Sequence, residues 1–213
     1  MAKRNVGFAY DNFMLLHENH KRPHPERPER IMSIYTYLLN HTTLLDRCVK
    51  IRCPFAVLDH IRAVHSQAMI DQVERSRYNK HKLRDEGVKV LKQHGAETNY
   101  LEYDVFINRW TYECALMAAG AAIEACNSIV KRRECEAVFA AVRPPGHHAE
   151  ETKVQGFCVF NSIAVAAKYL QKECGIKKVC IFDWDIHCGD GTSEIFYEDN
   201  SVLYVSIHRY DDG

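Results

Sequence analysis

The chain of 213 residues has no C-x-x-C pair, no surplus of either charge, no Gly/Ser-rich linker and no internal repeat. Each absence removes a class of protein. Nine cysteines, an odd number and scattered, argue against a disulfide framework or a thiolate zinc site. They fit a reducing compartment, where most would act as small buried hydrophobes. With 28 basic and 28 acidic side chains the formal charge is zero, which leaves no field to steer nucleic acid or an anionic membrane. The N-terminal "MAKRNVGFAYDNFMLLHENH" has no apolar stretch long enough for a signal peptide, and nothing reads as a membrane span of roughly 20 apolar residues. Without a linker or a low-complexity tract, one domain over residues 1–213 is expected.

What is present is an ordinary globular composition, 46% hydrophobic and 26% charged. "VGFAY" (6–10) reads as a first short strand. "PERIMSIYTYLL" (28–39) spaces Ile31, Ile34, Tyr35, Leu38 and Leu39 as one helix face, with Pro28 suited to the first turn. Residues 68–87 suggest a polar helix or helix pair whose "KHKLR" is a solvated face, and the Ala-rich 111–130 a helix packed closely on a sheet. Strand and helix then alternate: strand 136–142, helix 162–174 between an Asn161 N-cap and Gly175, strand 178–182, short helix 192–198, strand 202–207. The strands are continuous apolar runs. That pattern predicts an α/β fold whose mainly parallel sheet is covered by helices on both faces.

Open α/β sheets bind ligands beyond the carboxyl ends of their strands. Two of the late strands end there in polar clusters, "RPPGHHAE" (143–150) and "DWDIHCGDG" (183–191). Continuing the strand's period of two puts Asp183, Asp185 and His187 on one side, with Trp184 and Ile186 on the other. Two carboxylates and an imidazole suit a divalent cation. An isolated Asp-x-Asp could equally cap a helix, and a lone histidine is more often a structural hydrogen-bonder than a ligand. The adjacent pair His147-His148, aimed by a Pro-Pro-Gly turn, favours one shared site instead. An aspartyl-phosphate reading of the Asp-x-Asp is weaker, since Trp184 fills the gap and that chemistry needs no paired histidine.

These segments, with "GFCVFNSIAVAA" (156–167), "HPERPER" (24–30) and "VHS" (64–66), resemble the zinc-dependent histone deacetylases. The tryptophan between the aspartates and "HPERPER" look more like the class II branch. The resemblance implies a three-layer, arginase-like α/β fold and hydrolysis of N-acetyl-lysine in histones or other proteins. It implies Zn2+ held by Asp185 and His187, with His148 as general base and His147 as its electrostatic or acid neighbour. Asp190 would bond His148, and Asp183 would bond His147. It also implies a structural K+ at Asp183, Asp185, His187, Ser206 and Ile207, mainly through backbone carbonyls. Gly156 and Phe157 match a wall of the acetyl-lysine tunnel, Asp104 a rim residue, and Arg30 the inner cavity through which acetate leaves. The same resemblance implies action in nucleus or cytoplasm, an acetylated protein as partner, and a place in a corepressor complex.

The chain departs from that pattern at Cys188, where the family has a second histidine, and at Asp190, where class II has asparagine. It ends at "SIHRYDDG", before the family's third zinc ligand and its oxyanion-stabilising tyrosine. Asp211 and Asp212 are the remaining acids that could substitute. A fold incomplete at its C-terminus, with impaired activity, is therefore expected. The alternatives are an acetylpolyamine-type amidohydrolase of the same fold and a non-catalytic, partner-binding deacetylase fragment.

Overall fold

The computed structural model describes residues 5–77, 99–102 and 104–210. The strand β1 (Val6–Ala9) leads through a 3-10 turn to the helix α1 (Glu29–His41), then to β2 (Val49–Ile51). Two short helices follow, α2 (Leu58–Arg62) and α3 (Gln67–Glu74), the second capped by Ser66, whose Oγ accepts from the Met69 amide. Of the expected polar helix, only this part and a 3-10 turn to Arg77 lie among the described residues; "KHKLR" lies outside them. An antiparallel hairpin, β3 (Asn99–Glu102) and β4 (Val105–Ile107), precedes the long helix α4 (Thr111–Val130). Then come β5 (Ala137–Ala140), α5 (Ser162–Cys174), β6 (Val179–Asp183), α6 (Asp190–Ile195) and β7 (Val202–Ser206).

Apart from the hairpin, every described strand pairing is parallel: β2-β1-β5 form one sheet and β6-β7 another. Parallel strands need a crossover connection, and α1 lies between β1 and β2, and α6 between β6 and β7, for that reason. α5 begins where Asn161 accepts from the Ala164 amide and ends where Gly175 turns left-handed at φ 68°. Side chains alternate across β1. Phe8 stacks on Tyr35 of α1 at 6.4 Å, while Ala9 packs with Ile51 and with Ala121 of α4 on the other face. One face of the three-stranded sheet thus packs on α4, while on the other α1 covers Phe8 and leaves Phe139 of β5 exposed.

The 20 residues of α4 are long and apolar enough to cross a membrane by length and composition, which the sequence reading did not anticipate. Here α4 is a core helix, packed against β1, β2, β5 and α5. Its small face allows that. A Cβ on Gly120 would strike the carbonyl oxygen of Pro54, and the Ala56 amide donates to the Leu116 carbonyl at 2.9 Å across the same contact.

Two expectations need correction. On α1, Ile31 is buried but Ile34 and Leu39 are exposed, so the apolar stripe is wider than the face its neighbours cover. In β6-β7, Ile181, Val202 and Tyr204 pack toward α5, yet the opposite face is open, with Phe182 50% and Leu203 61% exposed. Continuous apolar runs promised cover on both faces. Among the described residues this sheet has it on one.

Candidate active site

Two strand ends build the pocket. The segment after β5 turns at Pro145-Gly146, where the Ala149 amide donates to the Gly146 carbonyl. Asn161 and Thr192 then pin it: Asn161 donates to Ala149 O at 3.2 Å and to Thr192 Oγ1 at 3.0 Å, and the Thr192 amide donates to His147 O at 3.0 Å. His147 and His148 leave this pinned segment side by side, ring centroids 4.0 Å apart. On the same segment Arg143 is fully buried and donates from Nε and Nη2, one edge of its guanidinium, to Glu26 at 2.9 and 2.6 Å, with a third bond from Nη1 to Met14 O.

The segment after β6 brings carboxylates to meet the imidazoles. Asp183 Oδ2 lies 2.9 Å from His147 Nδ1, and Asp190 Oδ1 lies 2.7 Å from His148 Nδ1. Each carboxylate has a second support. Tyr204 donates its hydroxyl to Asp183 at 3.1 Å, and Gln155 donates to Asp190 at 2.5 Å. Burial, and the neighbouring Asp183 charge, push the Tyr204 phenol up to about 12, so it stays a donor. Partial burial raises the Asp185 pKa, but the amide and imidazole of His187 outweigh that and hold the carboxyl below its usual range.

Asp185 and His187 stand at the mouth of the same cavity of about 300 Å3, with Arg30, Asp104, Gly156 and Phe157 on its walls. Asp185 Oδ1 is 4.0 Å from His147 Nε2. A Cβ on Gly156, at φ +52°, would strike the His148 ring, so glycine is needed both for conformation and for space. Phe157 is itself left-handed at φ 69°, a strained state for a residue with a Cβ, and its ring meets His24 edge-on at 4.7 Å. Arg30 is held by Glu26 at 3.2 Å. Ser206 pairs with Asp183 in the ladder, and the Ile207 amide donates to the Asp183 carbonyl at 3.0 Å, while the Ile207 side chain is exposed.

Asp183 therefore separates from the other two members of its alternation. It turns inward to His147, leaving Asp185 and His187 as a pair whose Oδ1 and Nδ1 bond each other at 3.0 Å. A catalytic zinc takes three protein ligands. No group of three such side chains in metal-holding geometry occurs among the described residues, which therefore fall short of a zinc set. Asp211 and Asp212 lie outside the described residues.

Sequence reasoning missed Tyr204, Gln155 and the Glu26–Arg143 pair as parts of the site. Tyr204 carried a signal, since it precedes Ser206 by two on β7 and so shares the face of Asp183. Glu26 and Arg143 sat in quoted motifs, but a pairing across 117 residues leaves no local pattern.

The comparisons with known proteins agree with this geometry. The family model for the histone deacetylase domain matches residues 24–213. The chain is 38% identical to Histone deacetylase 6 of Caenorhabditis elegans over 192 residues, 89% of this chain and 19% of that protein. It is 38% identical to human Histone deacetylase 9 over 218 residues, 98% of this chain and 21% of that protein. The chain thus spans about a fifth of the length of these relatives. The crystal structure of the HDA15 HD domain superposes with a TM-score of 0.84 at 34% identity, covering 97% of this chain and 54% of that one. With the family model matching residues 24–213, relatives 38% identical over 89–98% of the chain and the fold shared with a solved deacetylase domain, the chain belongs to the histone deacetylase family.

Proposed function

We propose that this chain carries the acid–base half of a zinc-dependent lysine deacetylase that hydrolyses N-acetyl-lysine in histones or other proteins. The observation that supports it is the double His–Asp arrangement, in which Asp183 and Asp190 engage the Nδ1 atoms of His147 and His148. A proton held on Nδ1 by a carboxylate leaves Nε2 free to accept one. His148 takes a proton from the attacking water, Asp190 holding its tautomer. His147, beside Asp183, stabilises the developing charge or returns a proton to the leaving lysine amine. Phe157 and Gly156 line the acetyl-lysine channel, Asp104 holds the substrate backbone at the rim, and Arg30 faces the acetate product.

Asp185 and His187 would be two of the zinc ligands, and the bound ion would supply the positive charge that polarises the acyl oxygen. A potassium ion would sit at Asp183, Asp185, His187, Ser206 and Ile207, a structural role. The reading extends to a class II-like enzyme of nucleus or cytoplasm, acting in a corepressor complex. Its support is the motif pattern and the relatives' names.

Acetate release from an N-acetyl-lysine peptide, with zinc supplied, tests it. Expected is slow, chelator-sensitive turnover that His148→Ala abolishes and Asp190→Asn lowers by about 10²-fold or more, the size of a general acid–base contribution. Turnover indifferent to His148→Ala, or faster on an acetylated polyamine than on the peptide, would overturn the reading.

A further inference from the structure

We infer that His24 is a positioning residue for the cavity: its ring braces Phe157, and the rings of Phe106 and His17 behind it carry that brace back to the core. The inference rests on the deacetylase reading in one respect, that the wall so held borders the acetyl-lysine channel. The brace itself is tested without turnover.

Phe157 needs holding. The turn 155–158 closes where the Cys158 amide donates to the Gln155 carbonyl at 2.8 Å. Both of its central residues are left-handed, Gly156 at φ 52° and Phe157 at φ 69°. Two left-handed residues mark a type I′ turn, whose central positions ordinarily go to glycine, asparagine or aspartate. A phenylalanine there is strained, and such a state persists only where its surroundings over-determine it. The backbone bonds fix the turn but leave the side-chain torsions free. Where the ring points is set by what it packs against.

Its aromatic neighbour is His24, edge-on with centroids 4.7 Å apart and planes at 75°. His24 is held twice over. Its ring lies edge-on to Phe106 at 4.8 Å, and its Nδ1 is 3.1 Å from both the amide nitrogen and the carbonyl oxygen of Glu26. Phe106 is buried on β4, two residues beyond Asp104, and stacks on His17 at 4.3 Å and 8°. His17 is anchored in turn, its Nδ1 2.9 Å from Oγ1 of Thr111, the first residue of α4. Edge-on and stacked contacts at these spacings are favoured between aromatic rings. A line of four rings thus runs from the first turn of α4 to the cavity wall.

His24 stands behind that wall. Phe157 lines the cavity that holds His147 and His148, whereas His24 lines an adjoining cavity of about 450 Å3, and Glu26 faces both. Cutting His24 back to alanine opens space into which the Phe157 ring can swing, so the channel loses its fixed width. A second role is available to His24, that of tying the backbone at Glu26 through Nδ1 alone. The two roles separate by substitution, because one needs the ring and the other the polar atom.

The test places 4-fluorophenylalanine at position 157 and follows it by fluorine NMR. One narrow line is expected, which His24→Ala shifts and broadens. His24→Phe, which keeps a ring but no Nδ1, should restore the line. His24→Asn, which keeps a polar atom near the Glu26 backbone but no ring, should not. Titration with an N-acetyl-lysine peptide should show affinity lowered about 2- to 10-fold by His24→Ala and His24→Asn, the size of one edge-on aromatic contact. Thermal unfolding of each variant controls for folding, and should His24→Ala not fold, the Phe and Asn variants still decide. A line indifferent to the substitutions, or one restored by His24→Asn and not by His24→Phe, overturns the inference. So does peptide affinity that stays unchanged while the line moves. A peptide that fails to bind the wild-type chain, with the variants otherwise as expected, leaves the brace standing and counts against the deacetylase reading.

Discussion

His65 is buried where its Nδ1 meets the Glu150 carbonyl at 2.8 Å and its Nε2 accepts from the Asn161 amide at 2.9 Å. An acceptor at Nε2 means a neutral ring, and burial lowers its pKa from 6.5 to about 4. The unfolded chain therefore binds a proton between those values that the folded chain refuses. Stability from His65 is complete above pH 6.5 and falls away toward pH 4, by about 3 kcal/mol at 1.36 kcal/mol per unit. His17, desolvated beside Arg143, is shifted the same way. Urea unfolding at pH 7.5 and pH 4.5 should show this loss, and His65→Asn should flatten it. Glu26 works at the same scale. Glu26→Ala leaves the Arg143 guanidinium buried without its anion, and should cost about 3–5 kcal/mol in urea unfolding, with Glu26→Leu plus Arg143→Met recovering much of it.

At the scale of elements, legibility followed distance along the chain. The helix α5 was readable at both ends because Asn161 and Gly175 adjoin it and act within four residues. The apolar strands β1, β5, β6 and β7 were readable from their runs. The hairpin β3-β4 and the three-residue β2 were not, since segments so short carry no period to detect. The paired histidines and the Asp-x-Asp segment were visible as chemistry, but which carboxylate meets which imidazole came only from the family resemblance, because it is decided by how β5 and β6 lie on α4 and α5. α4 offers a direct check of that support. Gly120→Ala would force the helix away from the Pro54 carbonyl and should lower stability by about 1–3 kcal/mol, the usual cost of overpacking. A stability gain, as expected for an alanine in an uncrowded helix, would show that the close approach is absent.

For the whole molecule, the balance of charge visible in composition says nothing of where apolar surface lies. The exposed side of β6-β7 emerged only from the fold. The same holds for the metal. Composition supplies ample histidine and aspartate, yet the described residues hold no group of three in metal-binding geometry, and the proposed donors Asp185 and His187 are two. Ligand binding stabilises the native state in proportion to RT ln(1 + [L]/Kd). A weak two-donor site should therefore let a chelator shift the melting temperature of this chain by no more than about 2 °C. A larger drop in calorimetry would mean a complete zinc set.

The two His–Asp contacts also have a mechanical meaning. His147 and His148 follow β5, Asp183 ends β6 and Asp190 opens α6, so each bond fastens the strand-end loop of one sheet to that of the other. The groups proposed to transfer protons are thus the clasp of a seam. Whatever neutralises either carboxylate unhooks the seam as well as the base, and a mutation made to silence the chemistry will loosen the joint between the sheets.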